Sequence, residues 1–159
     1  MYSIGGGFLR AVELVREALD EAVVHGDLVA LDPGGQTGWA RYSKDRKWSF
    51  GVIQGADGIE EVLNGASLVV TESFVLLPFK MKKATPTMLS PLKVLGAVEH
   101  VCSLKGIEIV SVTPAERAAA KELAEKVIDK KLPRHSREAA QALICFVVKH
   151  LVKEKDKDK

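Results

Sequence analysis

Leu28-Val29-Ala30-Leu31-Asp32-Pro33-Gly34-Gly35 is the stretch on which the reading of the fold turns. Four apolar residues make a short buried strand. Asp32 stands at its tip, directly before a Pro-Gly-Gly turn signal. Downstream, residues 39–43 and 48–53 read as two further strands, with a hairpin turn over 43–47. Strand, turn, strand, turn, strand is an antiparallel meander. Leu68-Val69-Val70-Thr71 is a fourth strand, and it too ends on a carboxylate, Glu72. Residues 107–112 form a fifth. Upstream, Phe8, Val12, Val15, Leu19 and Ala22 recur at spacings of three and four, which predicts an amphipathic helix over 8–25 closed by His25-Gly26. That stripe suits either a helix-pairing seam or packing on the protein's own body.

The rest of the chain is mostly helical. Residues 57–64 read as a short helix, and 91–104 as a longer one closed by Lys105-Gly106. Between Glu72 and that helix, residues 74–90 carry two Pro and three Lys and read as a long loop, a place where function concentrates. Thr113-Pro114 offers an N-cap and a first-turn Pro for an Ala-rich helix over 115–130. Pro133 breaks the chain before a last helix over 136–152. The expected division is an N-terminal helical extension over 1–26, one α/β domain over 27–152, and a charged tail over 153–159.

Composition narrows the classes. The 159 residues are 47% hydrophobic and 28% charged, which is globular and sufficient for one real core. Two Cys make no disulfide framework, and no Cys-His cluster has zinc-ligand spacing. No apolar run approaches the ~20 residues a bilayer needs. Arg10, Glu13, Arg16, Glu17, Asp20 and Glu21 interrupt residues 8–24, so that stretch does not read as a signal sequence. The expectation is a reduced, intracellular, cytoplasmic protein with no membrane partner. A net charge of +2 does not by itself announce nucleic acid. The cations are clustered, however: Lys80, Lys82, Lys83 and Lys93, then Arg117, Lys121, Lys126, Lys130, Lys131, Arg134 and Arg137. Such series are either phosphate-contacting surfaces or solvated helix faces.

Three carboxylates carry the chemistry. Asp32 ends the first strand, Glu72 ends the fourth, and Glu138 stands in the first turn of the last helix, three residues after His135. If the first and fourth strands are parallel neighbours in a mixed sheet, their carboxyl ends lie side by side. The last helix can then bring Glu138 to the same point. Three carboxylates held together repel and need a cation. Oxygen ligands with open positions suit Mg²⁺ or Mn²⁺. Two such ions about 4 Å apart clamp a phosphodiester. Each residue also has a plain structural role open to it: a turn former for Asp32, an exposed strand end for Glu72, a helix-dipole partner for Glu138, a surface or capping side chain for His135.

At these residues the chain resembles a known family. Residues 28–40, Leu-Val-Ala-Leu-Asp-Pro-Gly-Gly-Gln-Thr-Gly-Trp-Ala, resemble the opening strand and hairpin of RuvC-like Holliday junction resolvases, bacteriophage-borne members in particular. Val69-Val70-Thr71-Glu72-Ser73 is similar to the family's fourth strand. Residues 110–117 resemble its fifth strand and following turn, and residues 135–143, His-Ser-Arg-Glu-Ala-Ala-Gln-Ala-Leu, its final helix. The resemblance spans about 28–150. It implies an α/β, RNase H-like fold: a five-stranded mixed sheet flanked by helices, here with an extra N-terminal helix. It implies a structure-selective endodeoxyribonuclease that resolves four-way junctions by paired nicks, working as a homodimer with two Mg²⁺ or Mn²⁺ ions. Asp32 would bridge the ions, Glu72 and Glu138 would hold them, and His135 would assist. Gln141 stands where the family has a second acid. Phe74 would stack on bases, with Phe79 beyond it. Lys80, Lys82, Lys83, Arg117, Arg134 and Arg137 would meet DNA phosphates. The helix over 91–104 would be the first candidate for the dimer interface.

Three other readings compete. One is a broader nuclease of flaps and forks on the same fold. Another is a branched-DNA-binding relative without catalysis, which Gln141 invites. The third is an actin-like or sugar-kinase ATPase, whose phosphate loop resembles Asp32…Gly38 but whose two-domain body needs a much longer chain.

Overall fold

The computed structural model describes residues 6–73 and 86–152. Phe74, Phe79, Lys80, Lys82 and Lys83, singled out above, lie outside them. The chain runs through α1 (Gly6–Ala22), a 3-10 turn (Val23–His25), β1 (Asp27–Asp32), β2 (Gln36–Tyr42), β3 (Trp48–Gln54), α2 (Ile59–Leu63) and β4 (Ala66–Glu72). There follow α3 (Pro86–Lys105), β5 (Glu108–Val112), α4 (Pro114–Ala119), α5 (Lys121–Ile128) and α6 (Arg134–Phe146), which widens into π-turns over Val147–Val152.

The five strands form one mixed sheet in the order β3-β2-β1-β4-β5. β1 pairs antiparallel with β2, and β2 with β3, as the expected meander. β1, β4 and β5 run parallel. A parallel sheet survives when both faces are covered, and here they are. Leu28 and Ala30 of β1, with Leu68 and Val70 of β4, join the core built by α1, α5 and α6. Val29 and Leu31, with Val69, join a second core with Ile59 and Leu63 of α2 and Val94, Val98, Val101 and Cys102 of α3. Alternate residues therefore serve opposite layers, as the strand period of two requires.

Several boundaries differ from the sequence expectation. α3 begins at Pro86, so residues 86–90 are helical rather than part of the loop, and Pro91 lies inside the helix. The expected helix over 115–130 is two helices, broken at Ala120 (φ −90°, ψ 1°). α6 begins at Arg134, two residues early. The stripe on α1 packs on the protein's own body: Val12, Val15, Ala18 and Leu19 are buried in the same core as Leu143 and Val147. No helix among the described residues is long and apolar enough to cross a membrane.

Candidate metal centre

The strand period decides where the carboxylates go. Asp32 continues the Leu28, Ala30 series, so it turns toward the α6 layer. Glu72 continues the Leu68, Val70 series to the same side. The parallel pairing runs to Leu31 opposite Thr71, and the two carboxylates follow one step beyond it on adjacent strands. They line one cavity of about 150 Å³ with Pro33, Ser73 and Pro91. Thr37, fully buried, holds the intervening turn: its hydroxyl donates to the Gly34 carbonyl (3.2 Å) and accepts from the Gly34 amide (3.3 Å).

α6 supplies the other half. His135 Nδ1 lies 3.1 Å from Asp32 Oδ2. Ligand atoms of Asp32, His135 and Glu138 lie within 4.8 Å of one another. His135 and Glu138 share a helix face because they are three residues apart. Burial pushes the Asp32 carboxyl up from its ordinary 3.8 to about 6; the His135 contact opposes the rise, and the hydrogen bond and negative charge of Glu138 add to it. Two acidic groups and an imidazole on one side of a half-buried cleft, one carboxyl already reluctant to ionise, fit a hard divalent cation. Asp32, Glu138 and His135 are the residues that would hold it.

Glu72 and Gln141 are held differently. Arg117 Nε donates to Glu72 Oε2 in a close ion pair, and Arg117 Nη1 donates to Gln141 Oε1 at 2.9 Å. Gln141 is 3% exposed. Arg117, expected at DNA phosphates, thus has its guanidinium between two of the expected metal ligands. Arg134 is 76% exposed and reaches Glu138 at 3.5 Å. Arg137 is exposed on the same helix and lines a second cavity, of about 280 Å³, with Lys130 and Lys131.

Three contributors to the site carry no role in the sequence reading. A Cβ at Gly38 would lie 2.2 Å from the carbonyl carbon of His135, so only glycine lets the start of α6 sit against β2. A Cβ at Gly51 would strike the Trp39 ring at 2.6 Å, and the Gly51 carbonyl accepts from Ser136 Oγ at 2.9 Å. The signal available was a glycine inside a strand pattern, which marks close approach of another group.

No protein-family model matches this chain, and no curated protein does. Solved structures do. RuvC of Thermus thermophilus in complex with Holliday junction substrate aligns with a TM-score of 0.61 at 16% identity, covering 83% of this chain and 96% of that one. Another Thermus thermophilus RuvC structure aligns at 0.60 and 14% identity, over 82% and 96% of the two chains. The yeast mitochondrial Holliday junction resolvase aligns at 0.50 and 9% identity, over 96% and 99%. The fold is RuvC-like, as the resemblance implied.

Proposed function

We propose that this RuvC-like fold houses a metal-dependent endonuclease that resolves four-way DNA junctions by phosphodiester hydrolysis. The observation that carries the reading is the convergence of Asp32, His135 and Glu138 within 4.8 Å at the carboxyl end of β1, beside Glu72 on β4. The three residues would hold Mg²⁺ or Mn²⁺, which would supply Lewis acidity toward the phosphodiester and activate water for attack. Asp32 would be the central ligand, because it ends the strand that pairs with both β2 and β4 and lies against His135 and Glu138. Because α6 begins at Arg134, Glu138 stands one turn into the helix rather than in its first turn as the sequence suggested, and His135 positions Asp32 through the Nδ1–Oδ2 contact. Arg134 and Arg137, exposed beside the centre, bring the phosphate backbone to it.

A homodimer belongs to the same proposal. Two opposed nicks need two centres, and a two-fold dimer matches the near-two-fold symmetry of a junction. α3 is the surface for it. Its inner side is buried through Val94, Val98 and Val101, yet Leu92 remains 39% exposed, beside half-buried Leu95 and exposed Gly96. Leu104, 72% exposed at the other end of the helix, extends the apolar part of this outer face among the exposed Lys93, Glu99 and His100.

The test is cleavage of a labelled four-way junction, a flap and a linear duplex, with Mg²⁺, Mn²⁺ or EDTA, by wild type and Asp32→Asn. Paired symmetric nicks in the junction, lost with EDTA and in the variant, are expected. Equal cutting of flap and junction would replace resolvase with branched-DNA nuclease. Binding without cleavage under either metal would overturn the catalytic reading.

A further inference from the structure

We infer that Arg117 occupies the place of a second cation, so that this chain works with one divalent ion per centre rather than two. The inference rests on the nuclease reading above and deepens it. Its basis is the pair of bonds made by one guanidinium: Nε to Glu72 Oε2 and Nη1 to Gln141 Oε1. Both acceptors are oxygens that a second ion would need as ligands. Arg117 and Glu72 are 18% and 20% exposed, so water screens the pair little, and its planar fork satisfies two acceptors at once.

Charge supports the same reading. Asp32, Glu72 and Glu138 bring three negative charges to the site, and residue 141 is a neutral amide. One guanidinium leaves a formal charge of −2, which one divalent ion cancels. The Arg134 contact to Glu138 changes this little, because Arg134 is solvated. A second divalent ion would meet the fixed positive charge of Arg117 at close range and would have to displace it from both oxygens.

The scaffold also fixes Arg117. It stands in α4, whose first turn is locked by a capping box: Thr113 Oγ1 accepts from the Glu116 amide at 3.2 Å, and Glu116 Oε1 accepts from the Thr113 amide at 3.0 Å. Glu116 also forms an ion pair with Lys149 from the π-turn segment. The backbone carrying Arg117 is therefore tied to the last helical segment as well as to β5. Arg117 is a positioning residue here. It holds Glu72 toward the cleft, supplies a permanent positive charge, and needs no free metal to do so.

The experiment counts ions on the full chain without DNA, by titration calorimetry with Mn²⁺ and by electron paramagnetic resonance of the bound ion. Wild type is expected to bind about one Mn²⁺ per chain, with an uncoupled spectrum. Arg117→Gln combined with Gln141→Asp is expected to bind about two, with the spin coupling of a close pair. Gln141→Asp alone is expected to stay near one, because Arg117 then pairs with the new carboxylate. Two ions of similar affinity on wild type would overturn the inference and leave the nuclease reading standing. One ion on wild type and still one on the folded double variant would show that Arg117 is not what excludes the second. No bound ion on wild type would overturn the metal centre itself, and with it the proposed function. The wild-type count stands even if the double variant fails to fold.

Discussion

Removing the charge of Asp32 should stabilise the metal-free protein. The Asp32 carboxyl is raised from 3.8 to about 6, chiefly by burial, with Glu138 adding and His135 opposing. A carboxyl with a raised folded-state value prefers its proton in the folded state. Ionising it therefore opposes folding, and the penalty grows from about pH 3.8 and is complete above about pH 6. The shift corresponds to ~3 kcal/mol at most. Asp32 keeps some contact with water, which lowers this to about 2 kcal/mol. Asp32→Asn in EDTA at pH 8 should then melt about 4–8 °C above wild type for a chain of this length. At pH 4 the difference should shrink to about a fifth, because Asp32 is then protonated in the folded state and close to its midpoint in the unfolded one. Circular dichroism melts of the two proteins at the two pH values measure this directly. Saturating Mn²⁺ should reverse the order at pH 8: an ion at one hundred times its Kd adds about 2.7 kcal/mol to wild type, and little to the variant. If Asp32→Asn is no more stable than wild type at pH 8, or if the gap is the same at pH 4, the carboxylates are not held under mutual strain and the electrostatic basis of the centre fails.

Three further outcomes follow from the same geometry. Mn²⁺ affinity should be flat above about pH 6 and fall about tenfold per pH unit below it, because the ion must displace the Asp32 proton; calorimetry from pH 5 to 8 reads the bend, and affinity that stays flat down to pH 5 would contradict the raised carboxyl. Gly38→Ala puts a Cβ 2.2 Å from the His135 carbonyl carbon, so the start of α6 must move; it should lose about 1–3 kcal/mol of stability and most of its Mn²⁺ affinity together, and unchanged affinity would show that the close approach does not set the centre. Thr113→Ala removes one arm of the capping box and should cost about 1 kcal/mol in urea unfolding; a loss near zero would mean that the Glu116–Lys149 pair alone holds α4.

The sheet was legible because its signals are local. Short apolar runs ending at Asp32 and Glu72, and turn residues between the first three strands, carry strand identity and polarity within a few residues each. The centre was legible in part for the same reason, since His135 and Glu138 share a helix face by spacing alone. Arg117 was not. An arginine in an Ala-rich helix looks like any solvated cation, and its partners are Glu72 and Gln141, 45 and 24 residues away along the chain. Gly38 was opaque for the same reason, because its constraint is the backbone of His135. The start of α3 at Pro86 was missed because proline and polar residues read as loop, although proline fits the first helical turn well. The later turns of α3 read as a helix over 91–104, where Val94, Val98 and Val101 recur at spacings of four and three.

The register of one strand pair links fold to chemistry. Asp27 pairs with Ala66, but Leu28 pairs with Leu68, so β4 carries one extra residue, Ser67, at the start of the parallel ladder. From there the count is equal on both strands: four steps from Leu28 to Asp32 and four from Leu68 to Glu72. Gly26 makes room for the irregularity; it adopts φ 146°, and a Cβ there would lie 2.8 Å from that of Ser67. Without the extra residue, the apolar series of β4 would slip by one against β1, sending Val69 and Thr71 toward α6 and Glu72 toward α3. The irregularity lies at the opposite end of the strands from the centre, yet it sets which layer Glu72 faces. Both carboxylates therefore reach the α6 side because the strands are corrected at their amino ends, before the apolar run begins.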